Sequence, residues 1–258
     1  MTFALGPRAA KAGHRIVVHD TLDSTNSEAL RLARAGETGP LWIVAREQTA
    51  GRGRRGREWV SATGNLTASL VFTAAVTPAV AATLGFVASL AVLETCRVLA
   101  PDADLSVKWP IDVLADGGKI AGLLLESEPY RHGLAIVIGF GVNVASAPEG
   151  MAFPVSSLRG LGHRVTVDEV YSRLTDAWVA GADLWDHGLG FNAVRNDWLA
   201  QAAGIGQAIS VRMGDRVDSG IFETLDEQGR LILRKKDGMI RVVSAGDVYF
   251  GNAAGGAT

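Results

Sequence analysis

The sequence predicts an α+β protein: a mixed β-sheet with helices packed on it, followed by a small C-terminal β-barrel. Three observations carry this expectation. Up to residue 199, apolar runs of strand length alternate with stretches of helical period. Past that point only short β-type runs remain, each closed by turn residues. A hydrophobic content of 48% in 258 residues is ample for a sizeable core.

The elements follow in order. Residues 16–19 form a short strand. Thr25-x-x-Glu28 has the form of a capping box ahead of Ala29, Leu30, Leu32 and Ala33, so a helix begins there and stops near Gly36. Leu41-Trp42-Ile43-Val44-Ala45 reads as a strand buried on both faces, and it leads into Gln48-Thr49-Ala50-Gly51. Residues 66–73 form the next strand, and residues 80–99 a helix that covers it. Residues 105–109 begin another strand, stopped by Pro110. Residues 111–114 and 119–126 flank a hairpin turn at Asp116-Gly117-Gly118, and residues 134–140 form a further strand. Thr166-x-x-Glu169 caps a helix whose apolar positions Val170, Leu174, Trp178 and Trp185 keep near-helical spacing to about Gly188. The last runs, 209–213, 217–224, 231–233 and 240–243, form a separate small barrel from about Gly206. The Gly/Ala-rich end at residues 253–258 is expected to fray.

Composition excludes several classes. A net charge of −2 argues against a surface built as a whole for nucleic acid, so any anion site is local. The single cysteine, Cys96, lies in an apolar run and reads as a buried thiol in a reducing compartment. The N-terminus lacks a signal-peptide pattern. The apolar run 80–100 is interrupted by Thr83, Gly85, Ser89, Glu94 and Arg97 and reads as a core helix, not a membrane span. The five histidines are scattered, so no transition-metal site is expected.

The most informative stretch is Gly51-Arg52-Gly53-Arg54-Arg55-Gly56-Arg57, with Glu58 and Trp59 after it: four arginines and three glycines in seven positions. Glycine lets a backbone approach a ligand closely, and each guanidinium can hold phosphate oxygens in a bidentate fork. Like charges repel, so the segment is expected to be a mobile loop that orders over a polyphosphate ligand. Taken alone it also reads as a solvated basic loop or an RNA contact.

Other segments decide between these. Asp23-Ser24-Thr25-Asn26, Gln48 with the arginine loop, Lys108-Trp109-Pro110, Lys119-Ile120-Ala121-Gly122 through Glu126, residues 138–144 and residues 153–158 follow one another in an order and spacing that resemble the biotin protein ligase family. The resemblance covers nearly the whole chain. It implies a class II synthetase-like catalytic domain over residues 1–205, an SH3-like barrel over 206–253 and a frayed tail over 254–258. The implied reaction activates biotin with Mg-ATP to biotinyl-5'-AMP and then biotinylates a lysine of a biotin carboxyl carrier protein.

Carried over by position, Ser24, Thr25, Asn26, Gln48, Gly51, Arg52, Gly53, Arg54, Lys119 and Gly122 would bind biotin. Arg54, Arg57, Trp59, Lys108, Asp112, Lys119 and Asn143 would bind ATP, with Asp112 on Mg2+. Lys119, Arg54 and Arg57 would be catalytic, because a carboxylate attacking a phosphate needs charge neutralisation more than a base. Two readings stand for Trp59, packing at the loop base or stacking on a ring. Two also stand for Asn143, a bond to ATP or a tight turn.

One departure concerns Lys-Trp-Pro-Asn-Asp, the family's usual pattern, which here reads Lys108-Trp109-Pro110-Ile111-Asp112. If the missing amide served the nucleotide, activity is reduced and Ile111→Asn raises it. The resemblance further implies a cytoplasmic protein, no nucleic acid or membrane partner, and dimerisation through the sheet. Only 22 residues precede Asp23, too few for a DNA-binding domain. Three rivals remain: a lipoate-type ligase, a protein that binds biotinyl-adenylate with impaired catalysis, and an arginine-loop RNA-binding protein. The sequence does not name the carrier protein or the group that deprotonates the acceptor lysine.

Overall fold

The structure is a computed structural model and describes residues 2–250. Helix α1 (Pro7–Lys11) is a single turn with proline at its start, too short to leave a periodic signal. Strand β1 (Arg15–Leu22) leads into α2 (Thr25–Arg34), and β2 (Leu41–Gln48) and β3 (Leu66–Ala74) enclose the arginine loop. The expected single helix over 80–99 is two: α3 (Pro78–Ala82) and α4 (Leu84–Leu99). They meet at Thr83, whose hydroxyl donates to Val80 O at 2.6 Å and accepts from Trp185 Nε1 at 2.7 Å. Pro78–Leu99 is long and apolar enough to cross a membrane, yet 72% of its most apolar window is buried in the fold. It is a core element, as its interrupted polarity implies.

Strands β4 (Leu105–Lys108), β5 (Asp112–Ala115), β6 (Gly118–Tyr130) and β7 (Gly133–Val142) complete the main sheet. The expected hairpin turn is present, with Asp116 and Gly117 both at positive φ. Helix α5 (Val167–Trp185) starts at the expected capping box, in which Thr166 and Glu169 bond each other's backbone. Helix α6 (Phe191–Ala200) was not expected, although Phe191, Val194 and Trp198, its buried residues, keep i, i+3, i+7 spacing. Strands β8 (Ala208–Met213), β9 (Arg216–Leu225), β10 (Leu231–Arg234), β11 (Ile240–Val243) and β12 (Asp247–Phe250) end the described chain. Of these, β12 was missed. The tail expected to fray lies outside the described residues.

The main sheet has the order β1-β2-β3-β7-β6-β5-β4; β1 runs parallel to β2 and all other neighbours are antiparallel. It is the expected mixed sheet, and its period-2 side-chain alternation sorts residues to two covered faces. Trp42 and Val44 join Leu70 and Phe140 under α4 and α5, while Leu41 and Ile43 join Val71, Ala135 and Val137 under Ala29, Leu30 and Ala33 of α2. The C-terminal strands form an antiparallel sheet in the order β11-β10-β9-β8-β12, the last strand returning beside the first. This unit is less separate than expected. Ile209, Phe222, Leu225 and Leu231 belong to the same continuous core as α4, and Trp109 Nε1 donates to Gly229 O at 3.1 Å. We propose the domain division near residue 205, between α6 and β8.

Candidate active site

On the α2 face of β7 the side chains shrink along the strand: Ala135 and Val137 pack under α2, then Gly139 and Gly141 follow. Gly122 of β6 is the register partner of Gly141. These glycines leave a hollow on a sheet that is elsewhere filled. A Cβ on Gly139 would lie 2.3 Å from Asn26 Oδ1, and one on Gly141 2.3 Å from the Trp59 indole. The hollow is a cavity of about 430 Å³ closed by the arginine loop, residues 151–154 and β12.

The first wall is polar. Ser24, Thr25 and Asn26 are each under 5% exposed at the start of α2, and all line the cavity with Gln48. The capping box expected of Thr25 and Glu28 is absent. Ser24 stands at the N-cap without a side-chain bond, and Glu28 pairs with Arg31. Gln48 does the capping from another strand, its Oε1 accepting from Thr25 N at 2.8 Å and Thr25 Oγ1 at 3.1 Å. Asp23 turns the chain into the helix by accepting from Ser24 N and from Arg31, whose guanidinium lowers the Asp23 carboxyl to about 2.

The second wall is the arginine loop. Its two arms are joined by hydrogen bonds: Arg52 bridges Glu58, and Trp59 N donates to Gly51 O at 2.9 Å. Gly51 does not line the cavity; it lets the two loop arms meet, since a Cβ there would lie 2.4 Å from Trp59 O. The repulsion expected to keep the loop mobile has a counter-charge. Asp247 of β12 accepts from Arg54 at 3.2 Å, Arg55 at 3.2 Å and Arg57 at 2.8 Å. Sequence reasoning missed Asp247, which lies 190 residues from Arg57 in a strand it also missed. Arg52, Gly53, Arg54, Arg57 and Trp59 line the cavity. Burial is the main cause that lowers the Arg54 pKa.

The third wall holds the lysines. Lys119 opens β6, with its backbone clamped by Pro154 O and Ser156 N and its Nζ 2.9 Å from Asp112 Oδ1. The ammonium stands 5.8 Å from the Trp59 ring and 5.9 Å from that of Phe153. Lys108 Nζ sits 5.2 Å from the Phe250 ring and 6.0 Å from that of Tyr249. Burial lowers the Lys108 pKa most, and Lys119 and Arg54 add to it while Asp112 and Asp247 oppose. The site therefore concentrates cations around one hollow, the arrangement that polyanions seek. Among the described residues no three His, Cys, Asp or Glu gather as a metal cluster. Asp112, the carboxylate beside Lys119, suits only a magnesium ion held largely by a ligand's phosphates.

Two expectations meet a different placement. Asn143 is 2% exposed and outside the cavity lining; its amide donates to Ser156 O at 3.1 Å and Lys119 O at 3.5 Å. This favours the turn reading, in which it ties the Lys119 strand to residues 154–156. Ile111 does not line the cavity either. It is 8% exposed in the core, and its Cγ2 would lie 2.7 Å from a Cβ on Gly85 of α4. An asparagine at position 111 would set its amide against core hydrocarbon, so the rate gain expected from the sequence does not follow. The variant is now expected to lose about 1–3 kcal/mol of stability without any rate increase, measured by urea unfolding beside turnover.

Comparison with known proteins adds the relatives. The Biotin/lipoate A/B protein ligase family matches residues 18–143, and the biotin protein ligase C-terminal domain matches residues 204–251. A biotin–[acetyl-CoA-carboxylase] ligase of Paracoccus denitrificans is 45% identical over 240 residues, covering 89% of this chain and 98% of that one. The ligase of that name from Mycobacterium tuberculosis is 36% identical over 233 residues, covering 87% and 85%. The biotin protein ligase of Aquifex aeolicus, solved with biotin and ATP, superposes with a TM-score of 0.75 at 23% identity, over 91% of this chain and 97% of that one, which speaks to the fold. With such identity over almost the full length of a relative, the chain belongs to the biotin/lipoate protein ligase family, in its biotin protein ligase branch.

Proposed function

We propose that the protein is an ATP-dependent biotin protein ligase that forms biotinyl-5'-AMP and passes biotin to a lysine of a biotin carboxyl carrier protein. One observation carries this reading: the polar wall, the arginine loop and Lys119 open into a single cavity of about 430 Å³. That volume is of the size used for small-molecule ligands.

In this reading the Ser24–Thr25–Asn26 wall and Gln48 receive the ureido ring, and Gly122, Gly53 and Arg52 enclose the biotin chain. Lys119 meets both the biotin carboxylate and the α-phosphate, lowering their mutual repulsion as a carboxylate oxygen attacks phosphorus. The new O–P bond forms as the bond to the bridging oxygen breaks, and pyrophosphate leaves with the electron pair. Arg54 and Arg57 neutralise the phosphates and Trp59 stacks on the base. Asp112 would hold magnesium, which supplies further charge neutralisation when bound. The neutral acceptor amine then attacks the acyl carbon and expels AMP; its reference pKa is about 10.4, so the dry site must favour the uncharged form.

Cytoplasmic residence is part of the reading and is supported by buried Cys96, whose thiol burial raises to about 12. Pairing through the sheet is supported by Val17 and Val18, each 40% exposed on edge strand β1. The test is pyrophosphate exchange into ATP with biotin, lipoate or no acid, with magnesium and after chelation. Exchange that needs both biotin and magnesium is expected. Exchange with lipoate alone would move the protein to the neighbouring ligase class, and tight biotin binding without exchange would leave a binding protein.

A further inference from the structure

Ser69 of β3 is fully buried, lies outside the cavity lining and belongs to no motif of the sequence. Its Oγ nevertheless stands 2.6 Å from Asn26 Oδ1 and 2.8 Å from Thr25 Oγ1. The register of the sheet explains its place. Ser69 pairs with Ile43 on one side and Gly139 on the other, and the missing side chain of Gly139 makes room for the Asn26 amide above it.

The direction of each hydrogen bond follows from the outermost partner. Glu126 Oε2 accepts from Asn26 Nδ2 at 2.8 Å, and Leu124 O accepts from the same nitrogen at 3.3 Å. The Asn26 amide is therefore oriented with its nitrogen toward Glu126 and its oxygen toward Ser69. A serine has one proton, and an amide oxygen only accepts, so Ser69 donates to Asn26. The Thr25 proton then has two partners within reach, Ser69 Oγ and Gln48 Oε1, both inside the protein. Gln48 Oε1 already accepts from Thr25 N at 2.8 Å, and the shorter contact, to Ser69 at 2.8 Å, holds a proton only if Thr25 donates to it; that turns the Thr25 proton away from the cavity and leaves its lone pairs for a ligand.

We infer that Ser69 is a positioning residue that locks the Thr25 hydroxyl as a hydrogen-bond acceptor, so that this wall selects ligands with N–H donors. The inference rests on the proposed reading of the site as the place of a biotin ureido ring. A ureido ring carries two N–H groups, whereas a dithiolane ring has none. A wall that needs a donor rejects a ligand lacking one, because its buried acceptor is then left unpaired.

The experiment measures affinity by calorimetry on the purified full chain, for biotin and for biotin methylated on both ureido nitrogens. Wild type is expected to bind biotin and to discriminate strongly against the methylated form. In Ser69→Ala, biotin affinity should fall about tenfold while the methylated analogue changes little, so that the discrimination narrows. In pyrophosphate exchange the same variant should raise the KM for biotin and leave kcat and the KM for ATP within about twofold of wild type. Ser69→Cys, nearly isosteric with a far weaker donor, should shift biotin in the same direction and keeps the test open if the alanine variant does not fold. Equal loss for biotin and analogue, or biotin affinity unchanged in both variants, overturns the role of Ser69. A wild-type protein that binds no biotin at all would instead overturn the proposed function.

Discussion

Replacing Lys119 with alanine is expected to lower biotin-dependent pyrophosphate exchange by about 10²–10³-fold, the usual loss when one preorganised charge-stabilising donor is removed. The geometry makes two contributions. The ammonium that would bridge two anions disappears, and Asp112, which it holds at 2.9 Å, is left to repel incoming phosphate. Adding Asp112→Asn should not restore the rate, because the carboxylate that would hold magnesium is lost together with the repulsion. Biotin should still bind, since the wall around Thr25 does not depend on Lys119. A single variant within tenfold of wild type would make Lys119 no more than the partner of Asp112.

Asp247→Ala is expected to open the arginine loop. The carboxylate is 15% exposed and shared by three guanidiniums, so its removal leaves their mutual repulsion uncompensated at the cavity mouth. Charge-assisted bonds of this kind contribute about 1.5–3 kcal/mol where partly buried. Cleavage by trypsin within residues 52–57 should accelerate about tenfold or more, and the KM for ATP should rise. Arg55 and Arg57 are 41% and 51% exposed, so salt should weaken the latch in wild type and move its cleavage rate toward the variant's. The β8–β12 ladder is made by backbone and should survive, so the fold persists while the unfolding midpoint falls by about 2–4 °C per kcal/mol lost. Equal cleavage rates in variant and wild type would show that something else holds the loop.

Much of this protein was readable from local pattern. The double burial of residues 41–45 came from an unbroken apolar run, and Trp42 and Ile43 do point to opposite covered faces. The Thr166–Glu169 box was legible because both partners lie within one turn. The same rule failed at Thr25, where a residue from another strand, Gln48, outcompeted Glu28 for the helix terminus. The cavity-lining positions were legible largely through motif order, and the structure brings Ser24, Gln48, Arg54, Lys108 and Lys119 around one hollow.

By itself, then, the sequence determined the alternation of strands and helices, the basic loop and the membership of a ligase family, because period, turn chemistry and motif spacing are properties of neighbours along the chain. Tertiary structure alone decided that Asp247 neutralises the loop, that Ser69 orients the polar wall, that Ile111 faces the core and that Asn143 ties down the Lys119 strand. Each of these depends on which groups long-range sheet register and domain packing bring within about 3–4 Å, the range over which hydrogen bonds, ion pairs and apolar contacts act.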